Sequence, residues 1–174
     1  MNQLPPKPAF RLRFTRLVCA MSVFAGCAAD LKTTAAVTAV GDPSGTASTT
    51  TVGAAGGTVR SSDGKLELVV PAGALAAETA LSVTPISVTA PGGVRSWRLG
   101  PEGTTFSKPA SLKLTFSDAD LGGSKSDAVR VAFQDADRHW KAIKASTVDA
   151  TSITVSTTHF SDWSLLLGWQ LRPP

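Results

Sequence analysis

Three consecutive residues near the end of the chain, His159, Phe160 and Ser161, form the only compact set of reactive groups in the sequence. The hydroxyl of Ser161 lies one residue from the carbonyl carbon of Phe160, so a tightly bent backbone could aim it there. Attack would convert the amide into an ester by an N-to-O acyl shift, and water hydrolyses an ester more readily. Because a serine hydroxyl is a poor nucleophile, the reaction needs a base, and His159 is the candidate.

The segments on either side of this motif determine whether such chemistry is possible. Ile153 and Val155 alternate with hydroxyl residues, and Trp163, Leu165 and Leu167 resume this alternation, which predicts two strand segments. Neighbouring side chains of a regular strand point to opposite faces, so a reaction between His159 and Ser161 requires a kink at the motif. In the alternative interpretation, these two side chains only hydrogen-bond at the kink while Phe160 packs inward.

The first 26 residues have the order of a signal peptide. Basic residues within 1–16 precede an apolar run, 17–25, which is too short to span a bilayer permanently. The sequence Phe24-Ala25-Gly26-Cys27 resembles a bacterial lipoprotein box, although Phe24 stands where leucine is usual. The resemblance implies cleavage before Cys27 and lipidation of this cysteine. The alternative is an ordinary secretory peptide with an incidental cysteine.

The charge balance follows from this assignment. The whole chain has a net charge of +4, but four of its 17 basic residues and none of its 13 acidic residues lie in the predicted signal peptide. The remaining chain is therefore neutral, and we predict no nucleic-acid binding. Cys19 would be lost with the signal peptide and Cys27 would be acylated, which leaves no thiol for a disulfide, a zinc site or catalysis.

The remaining chain divides into a tether, a domain and a tail. Residues 27–55 are rich in Thr, Ala, Ser and Gly, which predicts a flexible tether after the lipidated cysteine. Residues 56–168 contain short alternating segments separated by turn residues and no segment of helical period. They predict an all-β fold of about eight or nine strands, either an antiparallel β-sandwich, which we favour, or a partly open barrel. Residues 169–174 form a C-terminal tail.

Three stretches of the predicted domain together resemble a known family. They are Gly56-Gly57-Thr58-Val59 with Leu68-Val69-Val70-Pro71-Ala72-Gly73-Ala74-Leu75, Leu99-Gly100-Pro101-Glu102-Gly103-Thr104-Thr105-Phe106 with Lys108-Pro109, and His159-Phe160-Ser161-Asp162-Trp163. This set resembles the ZU-five domain of zonula occludens proteins, Unc-five netrin receptors and ankyrins. The resemblance implies a β-sandwich that contacts other proteins. Some members of the family cleave themselves between Phe and Ser of a His-Phe-Ser motif and others keep the bond, so both outcomes stay open here.

Four tryptophans keep a second function open, because exposed aromatic platforms bind sugars. Trp97, Trp140 and Trp163 lie in predicted strands, which favours positions in the core. Trp169 lies beyond the last predicted strand and is the one expected to be exposed. A carbohydrate-binding β-sandwich at the cell surface is therefore the alternative to a protein-binding module.

Catalysis on an external substrate is the least favoured class. Residues 118–123 begin like a calcium loop, but Val129 occupies the twelfth position, where a bidentate glutamate is needed. The sequence has no phosphate-binding glycine loop, no zinc-binding pair of histidines and no serine elbow, so we predict neither a metal nor a cofactor. We expect a membrane-anchored lipoprotein of the bacterial cell envelope, outside the cytoplasm, which binds a protein partner. The identity of the partner and the oligomeric state stay open.

Overall fold

The computed structural model describes residues 37–168, which form two antiparallel β-sheets. The strands are β1 (Ser48–Val52), β2 (Gly57–Arg60), β3 (Leu66–Val70), β4 (Thr79–Ile86), β5 (Gly93–Gly100), β6 (Thr105–Thr115), β7 (Val129–Gln134), β8 (Trp140–Ile143), β9 (Thr147–Val148), β10 (Ser152–His159) and β11 (Asp162–Leu167). One sheet has six strands in the order β1-β4-β5-β11-β7-β8, and the other has five in the order β2-β3-β6-β10-β9. The predicted all-β sandwich is confirmed, with eleven strands in this range instead of eight or nine.

Alternating apolar side chains build the core between the sheets, as the period-two pattern predicts. In the five-stranded sheet, Leu68 of β3 and Val155 of β10 flank Leu112 of β6 in register, and all three are fully buried. In the six-stranded sheet, Trp97 of β5 lies opposite Trp163 of β11, and both are fully buried. The prediction that these two tryptophans belong to the core is confirmed.

Two short helical turns follow β6, in a region where the sequence pattern predicts no helix. They are α1 (Asp118–Leu121) and a 3-10 turn (Ser126–Ala128). The carboxylate of Asp120 accepts hydrogen bonds from the backbone N–H and the hydroxyl of Ser117, and this cap stabilises a single turn that is too short to show a periodic pattern. The sequence of the domain, which shows no segment of helical period, does not reveal these turns.

The ordered part of the chain begins earlier than the sequence predicts. The composition of residues 48–55 predicts a tether, but β1 pairs with β4 along its whole length and buries Val52. Threonine favours strands and tolerates an exposed face. In a segment rich in Thr and Ser, however, this preference for strands is easily read as the composition of a flexible tether. The predicted tether is therefore wrong over residues 48–52.

Residues 37–45, hereafter the strap, also contact the domain. Arg98 donates a hydrogen bond to the carbonyl of Gly41 at 2.9 Å, and the N–H of Ser44 donates to the carbonyl of Pro85 at 2.9 Å. Arg98 alternates along β5 with the core residues Trp97 and Leu99, so the strap crosses the face of the six-stranded sheet that points away from the core. The flexible tether predicted for this segment is wrong, because these hydrogen bonds hold the strap on the domain.

Several predictions lie outside the described residues: the signal peptide, lipidation at Cys27, the tether before residue 37, and the tail with Trp169. Within residues 37–168, no helix is both long enough and apolar enough to cross a membrane.

Candidate functional site

His159, Phe160 and Ser161, hereafter the corner, lie where the chain leaves one sheet and enters the other. His159 ends β10 in the five-stranded sheet. After Phe160 and Ser161, the chain enters the six-stranded sheet at Asp162 of β11. The register of β10 against β6 shifts between Thr157 and His159, which marks an irregularity of the ladder. The Thr157 hydroxyl bonds both the N–H and the carbonyl of His159 there. The predicted kink is confirmed.

Phe160 anchors the corner in the core. Only 4% of its surface is exposed, and its ring meets the ring of Phe106 edge to face with centroids 5.1 Å apart. The N–H of Phe160 donates to the carbonyl of Thr104 at 3.0 Å. The expectation that Phe160 packs inward is confirmed, and its ring and amide together fix the backbone on the amino side of the Phe160–Ser161 bond.

Ser161 is held between two strands of the other sheet. Its hydroxyl donates a hydrogen bond to the backbone carbonyl of Gln134 at the end of β7. Its own carbonyl accepts a hydrogen bond of 3.1 Å from the N–H of Leu99 in β5. The hydroxyl proton therefore points to a carbonyl oxygen, which is too weak a base to remove it.

His159 packs against aromatic rings. Its imidazole lies edge to face on Phe133, with centroids 4.8 Å apart, and tilted against Trp163 at 5.9 Å. Burial lowers the pKa of His159, which favours the neutral imidazole that a general base requires. However, Ser161 and His159 share no hydrogen bond in this structure, so the predicted contact between the two side chains is not present.

A cleft of about 360 Å³ opens beside the corner. It is lined by the corner and by residues that include Gly103, Phe133 and Ala136. The cleft has room for water beside these residues. Self-cleavage would still require the Ser161 hydroxyl to give up its hydrogen bond to the Gln134 carbonyl, and the imidazole of His159 to turn toward this hydroxyl.

The tryptophans offer little exposed aromatic surface within the described residues. Trp97 and Trp163 lie in the core, whereas the core position predicted for Trp140 is wrong, because Trp140 is half-buried against Ala132 and Leu166 on the outer face of the six-stranded sheet. The indole N–H of Trp140 donates to the hydroxyl of Thr38 in the strap at 2.8 Å.

Strand β8 is an open edge that the sequence pattern did not identify. Within residues 37–168, it pairs only with β7. The N–H of Asp135 donates to the carbonyl of His139 at 2.9 Å, and hydrogen-bonded pairs alternate along an antiparallel ladder. Lys141 and Ile143 are thus the β8 residues that bond to β7, while the N–H and C=O groups of Trp140 and Ala142 point outward.

A groove of about 440 Å³, hereafter the edge groove, lies where the two sheets separate beside β8 and β9. Its lining is mainly apolar and includes Val129, Ile143, Ala145, Val148 and Ile153. Val148 is 44% exposed, and Ile143 and Ala145 are half-buried at the margin of the core. Lys141 and Lys144, in and beside β8, are the signal in the sequence that could have identified this edge strand, because edge strands often carry lysine.

Comparison with known proteins does not identify the chain. No protein-family model matches the sequence, and no curated protein matches it at significant similarity. The ZU-five resemblance therefore stays a prediction that depends on the three stretches quoted above.

Proposed function

We propose that this chain is a protein-binding module, held outside the cytoplasm at the bacterial cell envelope by a lipid on Cys27. The observation that supports binding is the open edge of the six-stranded sheet, where outward backbone groups of β8 lie next to the apolar edge groove. Exposed sheet edges of this kind are usually blunted or covered in folded proteins, and extended segments of partner proteins use them as templates. The ZU-five resemblance implies the same class of function.

The other two functions have less support from the geometry. Sugar binding needs an exposed aromatic platform, whereas Trp97 and Trp163 are buried and Trp140 is half-covered. Self-cleavage needs a base at the hydroxyl of Ser161, whereas that hydroxyl donates to the carbonyl of Gln134. Protein binding requires no rearrangement of the described residues.

Cross-linking in intact cells tests the proposed binding function. The full-length chain, with an affinity tag, is expected to form a discrete adduct with another protein, identifiable by mass spectrometry after denaturing purification. Lys65→Ala should leave the adduct unchanged, because Lys65 lies in the turn before β3 of the five-stranded sheet, whereas β8 belongs to the six-stranded sheet. Binding on a glycan array combined with no protein adduct would reject protein binding in favour of the carbohydrate function.

Fractionation tests the proposed anchor separately. The wild-type protein is expected in the membrane fraction and to incorporate a clickable fatty-acid label, whereas Cys27→Ala should lose the label. A wild-type protein that is unlabelled and recovered in the soluble fraction would contradict lipidation. Cys19→Ala is the control, because the predicted cleavage removes this cysteine.

A further inference from the structure

We propose that β8 accepts an extended segment of the partner protein as an additional strand, and that apolar and acidic side chains alternate along this segment. The proposal rests on the protein-binding function above and names its surface. The backbone supplies the first argument: the outward N–H and C=O groups of Trp140 and Ala142 form half of an antiparallel ladder. Lys144, two residues after Ala142, continues the alternation of outward backbone groups.

The edge groove determines the apolar side of the segment. A strand added to β8 continues the six-stranded sheet, so every second side chain points toward the core side, where the two sheets separate. The half-buried Ile143 and the exposed Val148 lie on that side. Apolar side chains of an incoming strand would cover them and remove more apolar surface from water.

Charge determines the other side of the segment. Residues 138–148 include Arg138, Lys141 and Lys144 and contain no Asp or Glu. Lys141 lies on the same side of β8 as Ile143 and pairs with Asp135 at 2.8 Å, whereas Lys144 is exposed directly after β8. Lys144 follows Ile143 directly after β8 and, with Arg130, is among the residues that line the edge groove, where acidic residues of the incoming strand would meet it.

A second copy of this chain is a poor occupant of the same edge. Pairing of β8 with β8 would bring Lys144 of both copies into one ladder with no carboxylate of either strand to meet it, since Lys141 is already paired with Asp135. Like charges on directly paired strands destabilise a ladder. The charge pattern therefore favours an acidic segment from another protein over self-association.

Peptide binding to the full-length protein tests the surface without knowledge of the natural partner. The probe is a short capped peptide in which glutamate and valine alternate, and the control peptide has lysine in place of glutamate. We expect one-to-one binding of the glutamate peptide, with amide NMR shifts and slowed hydrogen exchange at Trp140 and Ala142. Binding of both peptides with equal affinity, no binding of either, or protected amides elsewhere would overturn the proposal.

Three variants separate the ladder from the charge. Ala142→Pro removes an outward N–H but no bond to β7, and should weaken binding by about tenfold. Lys144→Glu should weaken binding of the glutamate peptide by about fivefold, while Lys125→Glu makes the same charge change at an exposed loop position and should have no effect. Equal effects of Lys144→Glu and Lys125→Glu would show that only net charge matters and would reject this surface.

A further probe keeps the test decisive should Ala142→Pro fail to fold. N-methylation of alternate peptide residues removes the N–H groups that a ladder needs, so this peptide should not bind to the wild-type protein. Unchanged affinity would reject strand addition. The outcomes also separate the two proposals: an adduct in cells that survives Lys144→Glu and Ala142→Pro would reject β8 as the site, whereas peptide binding without any adduct in cells would reject the protein-binding function.

Discussion

Asp162 accepts two hydrogen bonds from the guanidinium of Arg98, from Nε at 2.7 Å and from Nη2 at 2.8 Å, and the two residues lie directly opposite each other on β11 and β5. Asp162 is 7% exposed and the side chain of Arg98 is 31% exposed. The bond to Asp162 raises the pKa of Arg98 further above its usual value. Because Arg98 also bonds to Gly41, this pair connects the strap, β5 and the first residue after the corner.

Asp162→Asn should therefore destabilise the domain. The substitution leaves the charge of Arg98 partly buried without its partner, and we expect the free energy of unfolding to fall by about 2 kcal/mol. Urea denaturation followed by tryptophan fluorescence measures this change. The control is Glu67→Gln, which breaks the exposed pair of Glu67 with Arg60 and should cost less than about 1 kcal/mol. Equal losses in the two variants would contradict the role of the Arg98–Asp162 pair.

The sequence predicts those parts of the fold that depend on a local period. The buried strands β3, β6 and β10 are recognisable because their apolar residues alternate, and in the sheet these residues lie in register, as Leu68 and Leu112 do. The strand β1 is not recognisable, because its buried face contributes little more than Val52 while its threonines face solvent. The bond from Arg98 to Gly41 spans 57 residues, and no local pattern encodes such a contact.

The candidate sites show the same division. The kink at the corner is predictable because the apolar alternation stops at His159 and resumes after Ser161. The partner of the Ser161 hydroxyl is not predictable, because Gln134 comes into reach only through the pairing of β11 with β7. The open edge at β8 depends in the same way on the order of strands in the sheet.

Acid should destabilise the domain through His159. Burial lowers the pKa of His159 in the folded state below its unfolded value of about 6.5, so the unfolded chain binds more protons between these two pKa values. The stabilisation is fully present above about pH 6.5 and is lost as the pH falls toward the folded pKa. Urea denaturation at neutral pH and near pH 5 should show a larger loss for the wild type than for His159→Gln, which does not titrate. Parallel pH profiles of the two proteins would contradict this assignment.

The strap should contribute to stability through Thr38. The hydroxyl of Thr38 accepts a hydrogen bond from the indole N–H of Trp140 and another from the amide of Gln134, both at 2.8 Å. Thr38→Val leaves both donors without this acceptor, and we expect a loss of about 1–2 kcal/mol in the free energy of unfolding with altered Trp140 fluorescence. Thr51→Val makes the same change on the exposed face of β1, opposite the exposed Ala80, and should have little effect. Equal free energies of unfolding in the two variants would show that Thr38 lies in a flexible segment and would contradict this prediction.

The peptide bond between Phe160 and Ser161 should stay intact in the folded protein. The Ser161 hydroxyl donates to the carbonyl of Gln134, and the imidazole of His159 packs on Phe133 and Trp163, so no base accepts the proton that the acyl shift must release. Denaturing mass spectrometry after prolonged incubation at neutral pH is expected to show no fragment that begins at Ser161. Native chromatography is not a suitable readout, because a cleaved β11 would stay paired with β5 and β7.

Two variants give this prediction a second readout. Ser161→Ala removes the hydrogen bond to Gln134 and should lower the free energy of unfolding by about 1 kcal/mol without any change in mass beyond the substitution. His159→Gln removes the only adjacent base and should likewise leave the chain intact. Fragments that end at Phe160 in the wild type, and that both variants abolish, would instead establish that Ser161 leaves Gln134 and attacks the carbonyl of Phe160 with His159 as the base.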